Sequence, residues 1–183
     1  MTMPSFGPGR YTRTAVALHA VLALMILGSL AVGLTMTGMP FSPQRLQIYT
    51  AHKWAGIVIL LLSAFRLLWR LTHPPPPDLP MPAWQATAAH AVHGALYLLF
   101  FAVPLAGWAF SSASGYPVVL FGVLPLPDFV PVDRELADTL KAAHRWLAYA
   151  LGALVLLHVA GALKHQFVDR DDLLSRMRPR LRR

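Results

Sequence analysis

HRWLAYALGALVLLH, residues 144–158, places a histidine at each end of one continuous apolar segment. His144 and His158 are fourteen residues apart. An α-helix turns about 100° per residue, so that interval returns to within ~40° of the same face. It also rises about 21 Å, at ~1.5 Å per residue. One helix thus presents two imidazoles on one side, at two depths of a bilayer whose apolar core is about 30 Å thick. Ionisable groups at such depths are costly and usually serve a function.

The rest of the chain supports a membrane reading. Of its 183 residues, 56% are hydrophobic and only 13% charged, against about 25% charged in ordinary soluble domains. The mean hydropathy is +0.50. Four apolar spans are expected at about 14–36, 46–71, 84–110 and 135–167, forming one all-α four-transmembrane-helix bundle over residues 1–183. The first span is longer than the ~7–15-residue apolar region of a secretory leader, and is read as a retained helix. Pro74–Pro77 stop the second span and form an extended linker. Pro104 and Gly107 are expected to kink the third. The stretch 111–133 is rich in Gly and Pro and too broken to cross, so it is read as an interfacial or re-entrant loop.

Charge sets the orientation. Eleven of the sixteen Lys and Arg residues fall at one side: Arg10, Arg13, Arg66, Arg70, Lys164, Arg170, Arg176, Arg178, Arg180, Arg182 and Arg183. Arg45, Lys53, Arg134, Lys141 and Arg145 fall at the other. The positive-inside rule places both termini in the cytoplasm of a multi-pass inner-membrane protein. It also accounts for the net charge of +8 without nucleic acid, for which no reading fold is visible. The basic tail from Arg170 onward is expected at the membrane surface. The chain has no cysteine, which excludes disulfides, thiolate-held zinc, iron–sulfur clusters and covalently attached haem.

Two further histidines, His19 and His52, lie on the first and second spans. Matched by depth, His19 meets His158 on the inner side and His52 meets His144 on the outer side. Each pair is suited to hold one haem iron by both axial positions, an arrangement that favours electron transfer over oxygen binding. His90 and His93, three residues apart on the third span, lie at inner depth. On spacing alone either rivals His19 as the partner of His158. A dinuclear metal site there lacks the carboxylates that such motifs use.

Laid out in this way, the chain resembles the bacterial cytochrome b561 family, and within it the superoxide oxidase branch. The likeness runs over nearly the whole length. It rests on His19, on His52 followed by FRLLWRLTHPPPP, on AHAVHGALYLLF, on GYPVVLFG and on HRWLAYALGALVLLHVAGALKHQF. The resemblance implies four helices, two haem b groups with His19, His52, His144 and His158 as axial ligands, and ubiquinone as acceptor. It implies superoxide as the donor, released as dioxygen, and a quinone-contacting role for His165.

These implied roles can be set against the residues. Superoxide is a small anion, and a cationic field raises the arrival rate of anions. Lys53 adjoins His52 and Arg145 adjoins His144, with Arg45 and Lys141 near in sequence. Lys53 and Arg145 are therefore candidates for steering, opposed by Asp128, Asp133, Glu135 and Asp138 in the same region. His165 follows His158 by seven residues, on the same helix face, and can donate to a quinone carbonyl. The alternative function is a haem-bearing membrane anchor of a larger dehydrogenase or hydrogenase, working with a docked redox partner. Lipid is a partner under either reading, and a homo-oligomer is compatible with both.

Overall fold

A computed structural model describes residues 9–171 and 173–177. Four long helices make up most of it: α1 (Arg13–Met36), α2 (Pro43–Thr72), α3 (Ala83–Ala113) and α4 (Arg134–Lys164). All four are long and apolar enough to cross a membrane. Large side chains such as Leu24, Leu98 and Leu156 stay exposed on the outside of the bundle. Such a surface suits acyl chains and is unsuited to water.

Local chemistry sets the helix ends. Thr12 caps α1 by accepting from Ala15 N, and Asp133 caps α4 by accepting from Leu136 N. The second span begins three residues before the sequence expectation of 46, because Ser42 caps at Arg45 N and Pro43 occupies the first turn. Proline is tolerated there, since its missing N–H has no helical partner in any case. At the far end α4 loosens into a π-helical turn, His165–Asp169, and stops at Arg170, whose φ of 53° reverses the chain. Helix α3 continues through Pro104 to Ala113. The expected interruption near Gly107 serves another purpose, described below.

Helix α3 packs along α4, α1 along α2, and α2 along α3. The buried core is one layer formed by Leu22 and Ile26 of α1, Ile59 of α2, Leu96 and Leu99 of α3, and Leu151 of α4. Leu151 stands seven residues from both His144 and His158, so this layer lies at mid-depth between the two histidines. The bundle therefore has an apolar middle and one histidine pair on each side of it.

The connection between α3 and α4 contains a small hairpin, β1 (Val119–Leu120) paired antiparallel with β2 (Leu124–Pro125). Its turn uses positive φ at Phe121 (53°) and Gly122 (75°). At the opposite end of the bundle, three segments distant in sequence meet. Arg176 Nη1 donates to Pro77 O at 2.6 Å, and Tyr11 N donates to Arg176 O at 3.3 Å. The first part of the basic tail thus folds against the proline linker. Arg178, Arg180, Arg182 and Arg183 of that tail lie outside the described residues.

Candidate functional site

The hairpin end of the bundle brings together His52 of α2 and His144 of α4. Their ring centres are 6.2 Å apart with planes at 84°. Each ring is held by its Nδ1. His52 Nδ1 is 3.2 Å from Ser29 Oγ of α1, and His144 Nδ1 is 2.9 Å from Val103 O of α3. Engaging Nδ1 leaves Nε2 as the free nitrogen of each ring, the usual division of labour in metal-binding histidines.

Two glycines make room for these rings. A Cβ on Gly107 would lie 2.9 Å from His144 Cε1, closer than side chains tolerate. Val103 and Gly107 are one turn apart on α3, so one residue offers the carbonyl and the next turn offers the space. A Cβ on Gly33 would meet His52 Cε1 at 3.4 Å. Both rings line a cavity of about 620 Å³, shared with Gly33, Gly56 and Gly152 among mostly apolar side chains. Ligand pockets run from about 300 to 1,000 Å³.

The terminal end brings together His19 of α1 and His158 of α4, with ring centres 6.1 Å apart and planes at 76°. Arg66 of α2 donates to Ala15 O at 3.1 Å, one turn before His19. His93 also lies beside His158, its ring centre 5.3 Å away and its planes at 64°. His90 points elsewhere: its Nε2 is 3.0 Å from Asp78 Oδ2, on an exposed surface.

These distances discriminate among the histidines. A metal–imidazole bond of ~2.0–2.1 Å puts two trans imidazole nitrogens about 4 Å apart and their ring centres about 6.3 Å apart. His52–His144 and His19–His158 match that figure. His93–His158, at 5.3 Å, departs from it. The donor set, the oriented Nδ1 groups, the glycine clearances and the cavity all fit a planar metal cofactor at the hairpin end.

His165 is only 9% exposed. Its Nδ1 lies 2.5 Å from Asp171 Oδ2 and 3.5 Å from Asp169 Oδ2, while Lys164 Nζ pairs with Asp169 at 2.6 Å. Asp171 was not legible as a partner, because the reversal at Arg170 brings it back onto the helix end. Ser29 and Val103 were missed for a related reason: a serine and a backbone carbonyl carry no signal until the helices are packed.

Lys53 and Arg145 take different positions. Lys53 Nζ donates to Ser111 Oγ (3.2 Å), Tyr116 O (3.2 Å) and Pro117 O (3.4 Å), fastening the α3–α4 connection to α2. Trp54 adds a bond from Nε1 to Val119 O at 2.7 Å. The hydrogen-bond acceptors of Lys53 are neutral, and Asp128 is the acidic group near enough to act on its charge. Arg145 is exposed and lines the cavity of His52 and His144.

The sequence comparisons agree with this architecture. The model of a family described as prokaryotic cytochrome b561 matches residues 10–180. The chain is 36% identical over 178 residues to cytochrome b561 homolog 2 of Escherichia coli K12, covering 93% of this chain and 92% of that protein. It is 33% identical over 176 residues to a Yersinia pestis protein named probable superoxide oxidase CybB, covering 94% and 98%. It is 31% identical over 173 residues to cytochrome b561 homolog 1 of Escherichia coli K12, covering 93% and 98%. With four apolar helices, paired histidines between them and a family match over nearly its whole length, the chain belongs to the prokaryotic cytochrome b561 family.

Proposed function

We propose that this chain is an inner-membrane oxidoreductase that takes electrons from superoxide at the hairpin end and delivers them to ubiquinone at the terminal end. Family membership implies haem b, and the reading here is two haems per chain. His52 and His144 hold one, and His19 and His158 hold the other. The observation that carries this is the pair of ring-centre distances, 6.2 and 6.1 Å, at two depths of one bundle. When bound, haem iron supplies reversible one-electron transfer, and two imidazoles leave it no open position for dioxygen.

The protein's own groups complete the reaction. Lys53 and Arg145 present positive charge where an anion must arrive. The layer of Leu22, Ile26, Ile59, Leu96, Leu99 and Leu151 makes the middle of the bundle apolar. His165, oriented by Asp171, is placed to give a proton to a quinone carbonyl. The balance is two superoxide ions, one ubiquinone and two protons giving two dioxygen molecules and one ubiquinol. The excess of cations at the terminal end supports a cytoplasmic placement for both chain ends. That end therefore takes its protons from the cytoplasm.

The test uses the purified chain in detergent. Haem quantification is expected to give two haems per chain, and superoxide is expected to drive ubiquinone reduction. One haem or none would reject the site assignment. Two haems with no superoxide reaction would instead assign the chain to electron relay for a docked oxidoreductase.

A further inference from the structure

The cavity between His52 and His144 has a distinctive charge pattern. Its walls are apolar, with Ile26, Ile59, Leu99 and Leu151 facing it. Toward the hairpin end it is lined by Arg45 and Tyr49 of α2 and by Lys141 and Arg145 of α4. Arg45 stacks 5.3 Å from the centre of the Tyr49 ring and donates to its hydroxyl at 3.4 Å. Lys141 and Arg145 are one turn apart, on either side of His144 in sequence. Among the described residues, none of these three cations is paired with a carboxylate.

Three like charges around one opening repel each other, and the repulsion is relieved when an anionic group enters between them. An apolar chamber with cations at one end fits an apolar plate that carries acids along one edge. Haem b has that form, with two propionates on one side of the porphyrin. We propose that Arg45, Lys141 and Arg145 clamp the two propionates of the haem held by His52 and His144, turning that edge toward the hairpin end. The proposal rests on the two-haem reading above and adds to it an orientation and three cofactor-binding residues.

The clamp also revises the charge available for steering. Two propionates match two of the three cations. One positive charge then remains at the opening. The same cations favour the reduced iron, because reduction adds a negative charge close to them.

Arg145→Leu, Lys141→Leu and the charge-keeping Arg145→Lys test the clamp in the haem-loaded protein. Wild-type haem content is measured first, and so checks the two-haem reading separately. In the two leucine variants, an equilibrium redox titration is expected to show one haem falling in potential while the other is unmoved. Resonance Raman bands of the propionates are expected to shift with it, and Arg145→Lys is expected to stay close to wild type in both. Loss of one haem from the leucine variants, with the other retained, also supports the clamp. Two bound haems with unmoved potentials and unmoved propionate bands in both leucine variants would overturn it.

Discussion

At the scale of single residues, the histidine geometry makes separable predictions. His158→Leu is expected to leave one haem per chain, whereas His93→Leu is expected to keep two, because His19 at 6.1 Å from His158 fits opposed ligation better than His93 at 5.3 Å. Haem counting on the two variants decides between them, and loss of a haem from His93→Leu would reassign the ligand. Gly107→Ala drives a methyl to 2.9 Å from His144 Cε1. Overpacking of this kind costs about 1–3 kcal/mol, and here it bears on one ligand. The variant is expected to lose or weaken the hairpin-end haem alone, read as a drop toward one haem per chain. Gly33→Ala, at 3.4 Å from His52, is expected to be milder. The four ligand candidates were legible from spacing and depth. Depth alone does not separate His19 from His93, and in the sequence only the family resemblance favours His19.

At the scale of elements, the breakers were readable, while the start of α2 and the loop were not. The four prolines after His73 are a local signal beside which α2 ends, whereas Ser42-Pro43, ahead of the expected start at 46, begins it. The stretch 111–133 was read only as irregular chain lying over the bundle. Its hairpin depends on long-range anchors, Lys53 and Trp54, which are 58 to 65 residues away from their partners. Lys53→Met removes three hydrogen bonds at once. Bonds to a charged donor contribute about 1.5–3 kcal/mol each when buried, and less at this half-exposed site. Backbone amides from 116 to 126 are expected to exchange faster in this variant, by roughly tenfold or more per ~1.4 kcal/mol lost, with both haems retained. Unchanged exchange would show that Trp54 holds the hairpin alone.

At the scale of the whole molecule, orientation and charge give the remaining predictions. A fluorescent protein fused after Arg183 is expected to fold and fluoresce, and alkaline phosphatase at the same point is expected to be inactive. The reverse result would invert the topology and exchange the roles of the two ends. Superoxide-driven turnover is expected to fall as ionic strength rises from about 10 mM to 150 mM, where the screening length shrinks from ~30 to ~8 Å. Turnover independent of salt would remove the steering role of Lys53 and Arg145. The number of spans, their limits within a few residues and the two depths of histidine follow from periodicity and composition. Each depends on neighbours along one helix, and those distances are dictated by about 1.5 Å of rise per residue. Lateral matters were settled only when four helices packed side by side. They include the 6.1 and 6.2 Å ring separations, the support of His52 by Ser29 and of His144 by Val103, and the return of Asp171 to His165. Residues from 6 to 139 positions apart in the chain meet in the fold through contacts that helical periodicity does not specify.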